Sequence, residues 1–437
     1  MIAVAACCFA AVSAAEDNLA TLKEPFRVEL PKQVKVFPES LPEGAEPGFK
    51  LRGTKGWAWT PEQYMEEIPV LAKCKMNFLM NCYSSMFEPE LMPGGFGKNE
   101  WWLPLSEAKK NAYAEIVRSC QKHGIAFCFC MNPNINSTRF AGRDPSDVDA
   151  LWQHYQWMQS LGVKWFSISL DDISQGINAE IQSNVVNEIF RRLREKAPGA
   201  QMIFCPTYYW GNGVGDENVN AYNAILAKQL HPDVYVFWTA GTPYNATRRD
   251  AESYKKALNH RVILWDNYPV NDRHPTMQLG PVRGRDADLC KVVDGYMANP
   301  HCPQNRINRV ALLTCADYAY NPKAYNPSRS IGQAIAHLAE NDQQRECLAE
   351  LTAAYPGCLV FGGNLGTNPV RERFQAIAAK PDSRAEADKY ISDFEALTKR
   401  FSKAFPDQFP DAIATMAADV DWLKAALNEK YKAQNAQ

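Results

Sequence analysis

From about residue 48 onward, short apolar runs alternate with longer stretches in which apolar residues recur every three or four positions. Runs rich in β-branched and aromatic residues predict strands, and the 3.6-residue period predicts amphipathic helices. The series opens with "FKLRGTKG" and then "TPEQYMEEIPVLAKCK", where Thr60, Pro61 and Gln63 form a capping-box start. Pro69 is expected to kink that helix or end its first half. The strand-like runs continue with "MNFLMNCY", "IAFCFCMNP", "VKWFSISLDD", "AQMIFCPTYYW", "VYVFWTAGTP", "RVILWDNYPVND" and "NRVALLTCADYAYNP". Helical stretches separate them, including one expected near 286–297 and a last one at "SRSIGQAIAHLAE".

About eight strand–helix units over roughly 290 residues predict a (β/α)8 TIM barrel at 48–341. An open doubly wound sheet is the alternative, but no glycine fingerprint follows the first strand. After residue 341 the strand signals stop. "YISDFEALTKRF" aligns Tyr390, Phe394, Leu397 and Phe401 on one helical face, and "DAIATMAADVDWLKAALNEKY" predicts a second long helix. Residues 342–437 therefore read as a small C-terminal helical domain. Residues 16–47 read as an N-terminal extension.

Composition narrows the function more than the fold. Of 437 residues, 46% are hydrophobic, enough for a large core. The net charge of −2 gives no electrostatic reason to expect nucleic acid. Residues 1–15, "MIAVAACCFAAVSAA", are too short to span a bilayer and resemble a signal-peptide core, which predicts export from a bacterial cytoplasm. "VAAC" at 4–7 also matches a lipoprotein cleavage site on four small residues. The 13 cysteines include no CxxC pair, and no histidines show metal-ligand spacing. No catalytic metal and no cofactor are expected.

In a barrel of this kind, chemistry sits at the C-terminal ends of the strands. There the predicted strands carry Asp171-Asp172, Tyr208-Tyr209, Trp238-Thr239 and the run Trp265 to Asp272. Aromatic faces beside amides and carboxylates suit a sugar. A bare Asp-Asp most simply reads as a solvated turn that caps the next helix. Its placement after a β-branched run favours a catalytic pair, provided the chain turns there, since strand neighbours face opposite sides. Adjacent acids would not flank a sugar ring as a standard retaining pair does, at roughly 5 Å across it. They would serve a substrate whose own 2-acetamido oxygen attacks the anomeric carbon.

These motifs, taken in order, resemble glycoside hydrolase family 84, the O-GlcNAcase-like β-N-acetylglucosaminidases, over about 49–335. "RGTKGWAWTPEQ" resembles the family's opening segment, which implies Gly53 at a sugar-binding glycine. "SLDDIS" looks like its catalytic dyad, which makes Asp171 the residue that polarises the amide and Asp172 the general acid/base. By the same resemblance Tyr209 in "FCPTYY" helps hold the oxazoline-like intermediate, and Thr239 in "FWTAGT" lines the pocket. In "WDNYPVND", Trp265 walls the sugar, Asn267 supports the dyad and Asp272 binds hydroxyls, as does Asn299 of "MANP". The implied partner is an N-acetylglucosamine-bearing glycan or glycoprotein, with no membrane span; the sequence is silent on oligomeric state.

One departure stands out. The family carries a lysine after strand two, and register places Ser84 there. Taken singly, each site residue also has a packing or turn reading: Gly53 as a bend, Trp265 and Tyr209 as core aromatics, Asn267 and Asp272 as an Asx turn around Pro269, and Asn299-Pro300 as a turn pair. Two other functions stay open on sequence alone. One is an N-acetylglucosamine-binding pseudoenzyme, and the other is a hyaluronidase-like endo-hydrolase.

Overall fold

The computed structural model describes residues 26–32, 36–57, 59–83, 99–241, 245–270, 277–300, 306–357 and 368–434. Residues 1–15, read above as a signal-peptide core, lie outside them, as do Ser84 and Asp272. Eight parallel strands close into a barrel in chain order. They are β1 (Leu51–Gly56), β2 (Phe78–Asn81), β3 (Ala126–Met131), β4 (Trp165–Ser169), β5 (Gln201–Cys205), β6 (Tyr235–Trp238), β7 (Arg261–Pro269) and β8 (Gly295–Asn299). Closure is made by β1 against β8, with Leu51 opposite Gly295. Both faces of each strand are covered, so the strands read as near-continuous apolar runs rather than alternating ones.

Helices fill the outer layer: α1 (Pro61–Lys73), α2 (Glu107–Lys122), α3 (Ser146–Ser160), α4 (Ala179–Lys196), α5 (Glu217–Gln229) and α6 (Arg248–Leu258). The expected capping box is present, with Thr60 Oγ1 accepting from the Gln63 amide and Gln63 Oε1 accepting from the Thr60 amide. Pro69 does not end α1, which runs through it to Lys73. Packing of Tyr64, Ile68 and Leu71 against the barrel outweighs one lost helical hydrogen bond.

The last barrel unit corrects the sequence reading. The segment expected as strand eight, "NRVALLTCADYAYNP", forms helix α7 (Arg309–Tyr320), and β8 is the five-residue run "GYMAN". The helix expected near 286–297 is only a 3-10 turn, Leu289–Lys291. Nine of the twelve residues of α7 are buried, because it is covered by the barrel on one side and C-terminal helices on the other. A helix apolar all round loses its periodicity and imitates a buried strand; its length is the better guide. Cys315, which falls in the run expected as strand eight, is buried in this helix. All described cysteines are free thiols.

Five further helices follow: α8 (Pro327–Leu338), α9 (Asp342–Ala354), α10 (Pro369–Ala378), α11 (Arg384–Ala404) and α12 (Pro410–Gln434). They enclose a second apolar cluster in which Phe394, Leu397 and Phe401 meet Phe374, Met416 and Leu423. Helix α8 serves both cores, since Ala334 packs with the barrel and Ile331 and Ile335 with the helices. No described helix is long and apolar enough to cross a membrane.

Gly53 is the third residue of β1, paired with Phe78 and Met297, and not a bend. A Cβ on it would stand 1.9 Å from the Phe78 carbonyl oxygen. Close approach of β1 and β2 therefore demands glycine whether or not a ligand is bound. Gly53→Ala is expected to destabilise the fold by about 3 kcal/mol, at the upper end for overpacking. Thermal unfolding without any sugar checks it, and a wild-type melting temperature would refute the steric reading.

Candidate active site

At the end of β4 the chain solves a charge problem by turning. Leu170 still extends the ladder, its amide donating to the Cys205 carbonyl at 2.8 Å. Asp171 follows and is 1% exposed; Asp172 adopts a left-handed conformation at φ 55° and is exposed. Aspartate is among the few residues that tolerate this region. The turn breaks strand alternation, so the neighbours act on one pocket: Tyr83 and Tyr209 each feel both carboxylates.

Asp171 is held from three sides. The Asn132 side chain, just past β3, donates to Asp171 Oδ1 at 3.3 Å and to its carbonyl at 3.0 Å. Asn132 is itself locked, since its Oδ1 accepts from the amides of Asn134 and Ile135. Beyond β2, the Tyr83 hydroxyl donates to Asp171 Oδ2 at 3.4 Å. Thr207 Oγ1 donates to the Leu170 carbonyl at 2.9 Å and fixes the backbone before the turn. Burial, followed by the negative charge of Asp172, raises the Asp171 carboxyl to about 7, and the charge of Lys55 opposes the rise.

Lys55 comes from β1 and is buried. Its ammonium lies 4.4 Å from the ring centroid of Trp265, 4.6 Å from Trp57 and 5.2 Å from Tyr83. The ends of β1 and β2 are tied by Tyr64 of α1, whose hydroxyl donates to the Gly56 carbonyl and accepts from the Cys82 amide. That tie sets Lys55 and Tyr83 beside each other.

The opposite wall comes from β5 to β8. Trp265 of β7 is buried, with its ring 5.9 Å from Tyr209 and 5.1 Å from Phe237. Strand alternation turns Asp266 the other way, into an ion pair with Arg285 and a 2.7 Å bond from the Tyr296 hydroxyl. Asn267 shares a hydrogen bond with Tyr209 and accepts from Asn299 Nδ2 at 3.0 Å. Because β7 runs to Pro269, Asn267 lies within the strand and not in a turn. Thr239 reaches the group through its backbone, its amide donating to the Tyr209 carbonyl at 2.7 Å. Burial and the two acids hold the Tyr209 phenol well above its ordinary range, so it stays neutral.

Among the described residues, three buried polar atoms on these walls have no partner: Trp57 Nε1, Trp265 Nε1 and Asn299 Oδ1. Two donors and one acceptor left dry are costly unless something polar fills the space between them. A sugar offers hydroxyls for such atoms and C–H faces for the indoles.

A profile described as beta-N-acetylglucosaminidase matches residues 53–353, more than half of the chain. The chain belongs to the beta-N-acetylglucosaminidase family. It is similar to the protein O-GlcNAcases of Mus musculus and Rattus norvegicus, each 23% identical over 284 residues and 61% of this chain. The match spans 29% of the length of those curated relatives. Among solved structures it is similar to CpGH84B, at TM-score 0.70 and 22% identity over 90% of this chain and 70% of that one. It is also similar to an O-GlcNAc hydrolase mutant from Thermobaculum terrenum, at TM-score 0.71 and 20% identity over 87% and 84% of the two chains. The barrel and C-terminal helices are thus a shared fold.

Within this beta-N-acetylglucosaminidase family member, the structure brings together Asp171, Asp172, Tyr209, Thr239, Trp265, Asn267 and Asn299. Gly53 has a steric role in the barrel wall, and Asp272 lies outside the described residues. Sequence reasoning missed Lys55, Tyr83 and Asn132. Tyr83 and Asn132 sit one or two residues past β2 and β3, so the strand-end rule that selected the others reaches them too. Lys55 is the penultimate residue of β1, and the glycines of "RGTKG" masked that strand end.

A raised Asp171 ties stability to pH. The folded state holds this proton more tightly than the unfolded chain, where an aspartate titrates near 3.9. Its stabilising effect is complete below about 4 and is lost as pH rises through about 7. Asp171→Asn is therefore expected to raise the melting temperature relative to wild type more at about pH 8 than at about pH 5. Melting curves at the two pH values test this; a difference independent of pH contradicts it.

Proposed function

We propose that this chain is a retaining exo-β-N-acetylglucosaminidase that uses the substrate's acetamido group as nucleophile. The observation that carries the reading is the unequal pair at the end of β4, with Asp171 buried and hydrogen-bonded and Asp172 exposed one residue on. Side-by-side acids cannot take opposite faces of a ring, so the nucleophile has to come from the substrate.

In the first step the amide N–H donates to the Asp171 carboxylate, and the amide oxygen attacks the anomeric carbon. The bond to the leaving oxygen breaks with its electron pair, and Asp172 supplies the proton. In the second step water attacks the anomeric carbon of the oxazoline and gives a proton to Asp172, and the acetamido group is restored. Two inversions give net retention.

The empty site prefers its proton on Asp171, and the reaction needs it on Asp172. Substrate binding reverses the preference by two ordinary effects. An N–H donor favours the charged form of Asp171, and a sugar laid over Asp172 removes water and favours its neutral form. Trp265 and Trp57 would wall the sugar, with Asn299 accepting from a hydroxyl and the Tyr209–Asn267 pair bracing the intermediate. Asp272 would bind hydroxyls as the family resemblance implies.

The leader at 1–15 supports export, so glycans or glycoproteins met outside the bacterial cytoplasm are the proposed substrates. A mature N-terminus near Glu16 in protein recovered from a native host would agree with this, and an intact Met1 would not.

Hydrolysis of aryl β-N-acetylglucosaminides tests the chemistry. Asp172→Asn is expected to cost about 100-fold or more on poor leaving groups and much less on good ones. Equal losses across the leaving-group series would contradict the acid role. Replacing the acetyl by trifluoroacetyl weakens the nucleophile and should slow the native enzyme steeply. Sugar binding without turnover would indicate a binding protein instead.

A further inference from the structure

We propose that Lys55 is a positioning residue of this site: boxed by Trp57, Tyr83 and Trp265, its ammonium is the fixed charge that weakens the hold of Asp171 on its proton, so that the substrate amide can meet a carboxylate. The inference rests on the function proposed above and goes on to ask what lets a buried carboxylate carry charge there.

Lys55 is 3% exposed, and lysines are almost never so buried unless paired. Among the described residues it makes no ion pair. Its near neighbours are the faces of three aromatic rings at 4.4 to 5.2 Å. Cation–π attraction offsets only part of the cost of desolvating an ammonium. A methionine would fill the same box without that cost, so packing does not explain the charge. The counter-charge available to it is the dyad.

Among the described residues, the titratable groups that face Asp171 are Asp172 in its own turn, Lys55 of β1, Tyr83 past β2, Cys130 of β3, Cys205 of β5 and Tyr209 past β5. Burial raises the two thiols and two phenols, Cys130 to about 12, so all four are neutral at working pH. That leaves one negative neighbour, Asp172, and one positive neighbour, Lys55. The first favours the proton on Asp171 and the second opposes it. Lys55 also stacks on Trp265, so one ammonium braces the sugar-facing indole and sets the field at the acid. It lies on β1, whereas register from the family's pattern placed the expected cation after β2, at the position of Ser84.

The sign of the effect is definite. Without Lys55 both protons of the dyad bind more tightly, so the pH profile of kcat/KM moves to higher pH as a unit. With an aryl β-N-acetylglucosaminide, Lys55→Met is expected to raise the acid limb by about one pH unit, the low end for an opposite charge nearby. This is about a tenfold loss on the acid side, over and above any change at the plateau. Lys55→Arg should restore the wild-type limb. A structural role would lower activity evenly across pH, and that result, or an unmoved limb, overturns the proposal.

A second measurement uses Lys55→Gln and the pH dependence of affinity for a thiazoline mimic of the cyclised intermediate. Affinity should fall off at higher pH than in wild type. If neither variant folds at any pH, Lys55 is a structural group and the proposal fails. Wild-type protein that cleaves no aryl glycoside would refute the proposed function instead. Normal wild-type turnover with an unmoved limb in the variants would refute only this inference.

Discussion

Everything at the mouth of the barrel is organised around one cost, a carboxylate taken out of water with a second carboxylate beside it. Burial alone disfavours the charge on Asp171, and Asp172 adds to the penalty. The surroundings answer with a fixed amide, a phenol and an ammonium. Such a group is a poor contributor to stability and a useful one for chemistry, because its protonation changes when a ligand replaces the missing water.

Parallel strand closure makes the arrangement possible. Eight strands deliver their C-terminal ends to one rim, so groups far apart in the chain meet there without long loops. Strand alternation then sorts neighbours. Trp265 and Asn267 face the site, while Asp266 between them is spent on Arg285 and Tyr296. At β4 alternation had to be broken, and the left-handed backbone of Asp172 breaks it. The helical layer contributes rigidity, as where Tyr64 of α1 staples the ends of β1 and β2.

Much of this was legible in the chain. Seven of the eight strands were found from their apolar runs, and most of the residues that the structure gathers at the rim stood at the ends of those runs. The eighth was misplaced because "GYMAN" is short and carries little signal, while α7 is apolar all round and imitates a strand. Reading Gly53 as a bend also failed, since its constraint is the carbonyl of a neighbouring strand, 25 residues away in sequence.

By itself the sequence determined the repeating architecture, the helix caps and the pairing of two acids after a β-branched run, because these depend on residues close together in the chain. Only the tertiary structure decided which acid is buried, which walls carry unpartnered donors, and that a lysine from β1 lies among three rings beside the dyad. Burial and field strength are sums over groups from distant strands, and no local pattern encodes them.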